Sequence, residues 1–358
     1  MKKLLLLANS SSGLYDFRNE LVLELLNEFD VYISVPDEKK TKQLKDEGCH
    51  IYHTDINRRG MNPIQDYKLL RIYRRMMKEL KPDIVLTYTI KPNVYGGLCA
   101  KRLHIPYIVN ITGLGTTFER GGLVKKLVVF LYKISVNKAR CIFYQNLNNK
   151  RVLEENGICG LASKVIPGSG VNLEKHLPAP YPYHDKPYFL FVGRMMKEKG
   201  IDEFLSNAKK YSGKAEFGII GNYEEDYKEQ IQKMESDGQI HFFGYRDNVD
   251  YYYGISDAVI VPSYHEGMSN VVLEASANAR PVLATNICGC KEGIEDGVSG
   301  ILFKEKDTGA LSDAINKFLC MSYEECAKMG QKARQKMEKE FDRSNVTSAY
   351  MEVIHGIL

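Results

Sequence analysis

The stretch Pro262-Ser263-Tyr264-His265-Glu266-Gly267-Met268-Ser269-Asn270-Val271-Val272-Leu273-Glu274-Ala275 sets two carboxylates on either side of a glycine turn. An apolar run ends at Val261, Gly267 follows, and helical spacing begins near Ser269. A helix opening there leaves the backbone N–H groups of Met268, Ser269 and Asn270 without helical partners. Such a terminus binds diphosphate without a metal. Glu266 stands just before the turn. Glu274 falls about one turn inside the helix, where a carboxylate can accept from two adjacent ribose hydroxyls. A capped helix carrying two surface glutamates is the plainer account of the same residues.

A second segment is Phe191-Val192-Gly193-Arg194-Met195-Met196-Lys197-Glu198-Lys199-Gly200. A strand ends at Gly193, where a ligand could approach closely. Arg194 and Lys199 then supply two cations that could stabilise a leaving diphosphate. Lys197 reads as a solvated neighbour. A third segment, Ser10-Ser11-Ser12-Gly13-Leu14, is a small-residue loop entering a helix, with Gly13 placed to lie against phosphate. It matches neither G-x-G-x-x-G nor G-x-x-x-x-G-K-[ST]. Gly244 and Tyr245, just past the apolar run Ile240–Phe243, complete the donor-side candidates.

These segments need a scaffold that ends many strands at one edge. Leu4–Ala8, Val31–Val35, Ile84–Tyr88 and Tyr107–Ile111 read as buried strands, separated by helical patterns over Asn19–Glu28, Pro63–Leu80 and Val94–Leu103. Continuous apolar strands alternating with helices predict a parallel sheet covered on both faces. The pattern restarts at Tyr188–Val192, Glu216–Ile220, Ile240–Phe243, Ala258–Val261 and Val282–Ala284. Between the halves, residues 177–187 carry four prolines and read as a linker. The expected architecture is therefore an α/β chain with two doubly wound Rossmann-like domains facing across a cleft. The first covers 1–176, and the second covers 188–340 and carries the diphosphate and ribose candidates. A C-terminal helix over 341–358 could cross back to the N-terminal domain. Ligands in such sheets sit at the strands' C-terminal ends.

Taken together, these pieces resemble glycosyltransferase family 4, retaining enzymes of the GT-B fold. Glu266 to Glu274 stands where the family has its E-x7-E motif, and Arg194 and Lys199 stand where it has its Arg and Lys. The resemblance implies that Glu266 contacts the transferred sugar and Glu274 the ribose, with Arg194, Lys199 and Glu266 as the catalytic set. Further segments look like the branch that extends undecaprenyl-diphosphate-linked glycans in capsule or O-antigen assembly: Tyr15-Asp16-Phe17-Arg18, Lys91-Pro92-Asn93-Val94-Tyr95-Gly96, Gly113-Leu114-Gly115, Tyr132-Lys133-Ile134-Ser135 and Gly170-Val171-Asn172-Leu173. From that likeness Lys91, Asn93 and Gly113 are acceptor-side candidates. It also implies a UDP-linked N-acetylhexosamine or galactose as donor, with GDP-mannose the rival, a polyprenyl-diphosphate-linked acceptor with a soluble one as rival, and no metal cofactor.

Composition narrows the field. The chain has 358 residues, of which 44% are apolar and 26% charged, as in a globular protein long enough for two domains. The opening apolar run stops at Asn9 and reads as a buried strand rather than a leader. The eight cysteines lack zinc spacing and the eight histidines are dispersed, so neither predicts a metal site. No D-x-D occurs, which disfavours a metal-dependent GT-A enzyme, and no G-x-S-x-G elbow is present. A GT-B phosphorylase would need a phosphate site or a pyridoxal lysine, and neither is visible. Residues 1–180 hold 28 Lys and Arg against 17 Asp and Glu, while residues 181–358 hold 21 against 28. The basic half predicts an anionic partner. Base-reading elements are absent, so nucleic acid is disfavoured and an anionic membrane surface preferred, with the protein peripheral at the inner face of the cytoplasmic membrane. Two helices could carry that contact, Tyr67–Lys81 and Leu123–Arg140. The run Tyr251-Tyr252-Tyr253 reads as helix packing.

Overall fold

Seven short strands build the first sheet: β1 (Lys2–Leu7), β2 (Phe29–Val35), β3 (His50–His53), β4 (Ile84–Tyr88), β5 (Tyr107–Ile111), β6 (Cys141–Tyr144) and β7 (Ser163–Val165). The computed structural model describes residues 1–57, 62–114 and 122–358, without the side chain of residue 123. All pairings in this sheet are parallel, in the order β3-β2-β1-β4-β5-β6-β7. Strands β4 and β5 bury every residue, as in the all-apolar Ile84–Leu86 stretch, because helices cover both faces. The edge strands β3 and β7 are mostly exposed and polar, so they carry no apolar run that periodicity could detect.

Six strands build the second sheet: β8 (Tyr188–Val192), β9 (Glu216–Ile220), β10 (His241–Gly244), β11 (Ala258–Val261), β12 (Val282–Thr285) and β13 (Gly300–Phe303). They are again parallel, in the order β10-β9-β8-β11-β12-β13. In the first sheet strand order reverses between β1 and β4, and in the second between β8 and β11. Each reversal opens a crevice at the C-terminal ends of its two central strands.

The chain divides into one unit of Met1–Ser169 with Ser344–Leu358 and another of Gly170–Arg343. The expected boundaries at 176 and 340 therefore move to 169 and 343. The proline-rich stretch 177–187 belongs to the second unit rather than hanging free. Arg280, fully buried, donates to the carbonyls of Ala179 and Pro180 and to those of Tyr253 and Gly254, tying that stretch down. The last helix, Arg343–Ile357, sends Val346, Tyr350, Met351 and Ile354 into the core of the first unit, and the Tyr350 hydroxyl donates to Asn110 Oδ1 at 2.5 Å.

The first helix starts earlier than its apolar pattern. It spans Ser11–Glu28, with Ser10 as N-cap accepting from the Gly13 amide. The segment read as a loop is thus the helix's first turn. Helical geometry breaks at Arg18, whose guanidinium reaches back to the Gly13 carbonyl at 2.8 Å. Residues 92–102 form a π turn over Pro92–Gly96 followed by a helix over Gly97–Arg102.

Candidate active site

Lys199 and Glu266 meet at the crevice of the second unit. Lys199 closes a short 3-10 turn after β8, and Glu266 lies in the loop after β11. Lys199 Nζ sits 2.5 Å from Glu266 Oε1, and Ser263 Oγ donates to the same oxygen at 2.9 Å. The two loops are pressed together by Gly200. It holds φ +71°, and a Cβ there would lie 2.0 Å from the Pro262 carbonyl oxygen. The Tyr264 amide donates to the Glu198 carbonyl across the same seam. Both side chains are partly buried, so the pair is screened less than a surface ion pair.

Arg194 does not join that pair. Its guanidinium is half-exposed and lies 3.7 Å from Glu224 Oε2. Gly193 stands at the end of β8, where its carbonyl oxygen would lie 1.8 Å from a Cβ on Gly221. Gly244, which closes β10 at φ +66°, accepts from the Gly221 amide. Tyr245 beyond it is exposed, with its hydroxyl 3.1 Å from Asp247. These residues share the C-terminal edge of the second sheet with Lys199 and Glu266.

The helix after β11 runs Asn270–Ala277, capped by the Ser269 hydroxyl accepting from Val272 N. One expected amide is already engaged: Ser269 N donates to the Gly289 carbonyl at 2.7 Å. That corrects the expectation that the N–H groups of Met268, Ser269 and Asn270 all stand open. Gly267 forms the turn, and Met268 packs inward on Val171, Leu273, Met337 and Phe341.

The partner of Ser269 belongs to a loop that the sequence reading missed. Residues 286–293 follow β12, and Gly289 at φ +91° brings its Cα against the Glu266 backbone, where a Cβ would meet the carbonyl oxygen at 2.6 Å. Thr285 Oγ1 donates to the Ser263 carbonyl at 2.6 Å, and the Gly289 amide donates to Glu292 at 2.6 Å. The glycine between Cys288 and Cys290 was the available signal. Buried Cys290 lies within electrostatic reach of Glu266 and Lys199; burial pushes its thiol far up, so it stays protonated.

Glu274 sits in the second turn of its helix, partly buried. Burial raises its carboxyl above the ordinary range, against the opposing pull of His176, the Tyr253 hydroxyl and Lys175. A carboxylate in that setting accepts strongly from hydroxyl donors, since water competes weakly for it.

In the first unit the small-residue turn is occupied. The Ser11 amide donates to Asp37 Oδ2 at 3.1 Å, the Ser11 hydroxyl pairs with Asp37 Oδ1, and the Gly13 amide is taken by Ser10. Lys91 Nζ lies 2.7 Å from Asp66 Oδ1, both well shielded. Asn93 is buried and braces two strands, donating to the Asn110 carbonyl and accepting from Thr87. Gly113 follows β5, while Gly115 lies outside the described residues. Among the described residues no group of three His, Cys, Asp or Glu is arranged to hold a metal ion. No described helix is long and apolar enough to cross a membrane.

Comparison with known proteins follows the division into units. Residues 3–146 match a family model described as glycosyl transferase 4-like, and residues 174–336 match one described as glycosyl transferases group 1. The chain is 28% identical over 340 residues to the N,N'-diacetylbacillosaminyl-diphospho-undecaprenol alpha-1,3-N-acetylgalactosaminyltransferase of Campylobacter jejuni, covering 87% of this chain and 88% of the relative. It is 25% identical over 311 residues to the UDP-Gal:alpha-D-GlcNAc-diphosphoundecaprenol alpha-1,3-galactosyltransferase of Escherichia coli, covering 80% and 79% of the two. The fold matches HepE of Anabaena, solved with UDP and glucose, at a TM-score of 0.80 and 15% identity over 99% of this chain and all of that one. It also matches sucrose-phosphate synthase of Thermosynechococcus elongatus at 0.81 and 16%, over 100% and 99%. With two doubly wound parallel-sheet units, each matched by a glycosyltransferase family model, the chain belongs to the glycosyltransferases, in its first half of the 4-like and in its second half of the group 1 kind.

Proposed function

We propose that this glycosyltransferase moves an N-acetylhexosamine or galactose from UDP, with retention and without a metal, onto a saccharide carried by polyprenyl diphosphate. The observation that carries the reading is the Lys199–Glu266 pair at the crevice of the second sheet, beside the helix that bears Glu274. The relatives from Campylobacter jejuni and Escherichia coli, whose names specify undecaprenyl-diphosphate acceptors, support the acceptor class.

In this reaction the bond between the anomeric carbon and the diphosphate oxygen breaks while the acceptor hydroxyl attacks from the same face. The hydroxyl proton passes to the departing diphosphate oxygen. No side chain needs to be the nucleophile, and catalysis is positioning plus charge stabilisation. Lys199 and Arg194 supply the positive charge that a metal supplies elsewhere. Glu266 stands at the sugar position and Glu274 at the ribose.

The acceptor places the enzyme against lipid. The helix Gly122–Val136 exposes Val124, Leu127 and Phe130 beside Lys125, Lys126 and Lys133, and the helix Pro63–Leu80 exposes Ile64, Tyr67 and Ile72 among its arginines and lysines. Exposed apolar bulk flanked by lysines suits the interface of an anionic membrane, at about 1 kcal/mol per basic residue near the surface.

The decisive experiment incubates the purified enzyme with UDP-GalNAc, UDP-galactose or GDP-mannose and a polyprenyl-diphosphate-linked saccharide, with and without EDTA. An α-linked product from a UDP-sugar in EDTA is expected. Turnover only with GDP-mannose, an inverted linkage, or magnesium-reversible loss of activity would overturn the corresponding part of the reading.

A further inference from the structure

We infer that Tyr253 is a positioning residue for donor binding: its hydroxyl holds one oxygen of Glu274 so that the other faces the ribose. The inference rests on the donor reading above and adds to it a residue on a different helix.

Tyr253 lies on the helix Val249–Ile255 and is fully buried. Its hydroxyl donates to Glu274 Oε2 at 3.1 Å. The tyrosine is itself held, because its carbonyl accepts from Arg280 Nε at 2.8 Å and from Ser256 Oγ at 3.0 Å. Burial first, and then the neighbouring Glu274 carboxylate, push the Tyr253 hydroxyl far above its ordinary range, so it remains a donor. A carboxylate held at one oxygen loses rotational freedom about its last bond. Its second oxygen is then presented in one direction, which suits a pair of ribose hydroxyls.

The helix carrying Glu274 is anchored from the same side. Asn278 ends that helix, donating to the Glu274 carbonyl at 3.0 Å and to Asp250 Oδ1 at 2.8 Å. Asp250 also pairs with buried His176 at 2.6 Å. Arg334 donates to the carbonyls of His176 and Ala277 at 2.7 and 2.9 Å. Glu274 therefore projects from a fixed helix end, and Tyr253 selects the orientation of its carboxylate.

The test is a binding cycle. Affinities for UDP and for 2′,3′-dideoxy-UDP are measured by calorimetry in the native protein, Tyr253→Phe and Glu274→Gln. Tyr253→Phe should weaken UDP about tenfold, the order expected for one hydrogen bond to a charged group, and leave dideoxy-UDP within about twofold. In the steady state it should raise the donor KM with little change in kcat. Equal losses for both nucleotides would reduce Tyr253 to a packing residue and overturn the inference, as would unchanged UDP affinity. Glu274→Gln separates the two layers. If it shows no ribose-dependent loss, the Glu274 assignment falls and the Tyr253 role with it. If it does and Tyr253→Phe does not, only the present inference falls.

Discussion

At the scale of single residues, type and spacing single out candidates but say nothing of what each one touches. Glu266, Glu274, Arg194 and Lys199 stand out by type and spacing, because cations can stabilise a diphosphate and a carboxylate can accept from ribose hydroxyls. Their partners come from elsewhere in the chain. Lys199 pairs with Glu266 across 67 residues, Arg194 turns to Glu224, and Tyr253 finds Glu274. Replacing Lys199 or Arg194 by alanine should lower kcat about a hundredfold or more with the fold intact, read by steady-state turnover beside circular dichroism. Normal turnover in both variants would remove them from the site. The raised Glu274 carboxyl fixes two signs. Its ionised form is disfavoured in the folded protein, so Glu274 weighs against folding above its unfolded pKa, and Glu274→Gln should raise the ligand-free melting temperature at pH 7 while weakening UDP. UDP affinity should also fall as pH drops through the raised value, since protonation removes an acceptor. Asp250 behaves in the opposite way. Burial opposes its charge, but hydrogen bonds from His176 and Asn278 hold it below the usual carboxylate range. Its contribution to stability is present above the unfolded pKa and is lost as pH falls through the folded one.

At the scale of elements, glycines with left-handed backbone let three loops close on one another. Gly200 admits the Pro262 carbonyl, and Gly289 admits the Glu266 backbone. Gly200→Ala combines a strained φ with a clash. It should cost at least about 1–2 kcal/mol in urea unfolding of the second unit, together with most of the activity. A variant as stable and active as the native protein would show that the two loops are not locked. The helix Gly122–Val136 allows a second element-scale prediction. The native protein should co-sediment with anionic vesicles at low salt and release at high salt. Lys125→Glu, Lys126→Glu and Lys133→Glu together should abolish that binding, at about 1 kcal/mol or more for each charge. Recovery of the native protein in the supernatant at low salt would favour a soluble acceptor. Most strand positions in the sheet interiors were legible because all-apolar runs have few other uses, but the interior strand Cys141–Tyr144, equally apolar and buried, was not among those read. The edge strands His50–His53 and Ser163–Val165 were not, because their pairing is made by backbone groups and their side chains face solvent.

At the scale of the whole molecule, the donor reading predicts where ligand protection falls. UDP at a hundred times its Kd should stabilise the unit that binds it by about 2.7 kcal/mol. With two units, a single unfolding transition is a poor reporter. Hydrogen exchange read segment by segment should therefore show UDP protection at Gly193–Gly200 and Glu266–Glu274, with the core strand Lys2–Leu7 unchanged. Protection of that strand at the same level would place the donor elsewhere. Residue type and spacing by themselves determined the alternation of strand and helix, the restart of the pattern after residue 187, and the two candidate motifs, 191–200 and 262–275. These are local properties, set by burial period, glycine and charge within a dozen residues. Only the tertiary structure decided that Arg280 gathers residues 177–187 onto the second unit, that the last helix returns to the first, and that the loop around Gly289 buttresses Glu266. The physical reason is the parallel sheet: its crossovers make neighbours of strands far apart in the chain, and a hydrogen bond forms or fails on tenths of an ångström that no spacing rule contains.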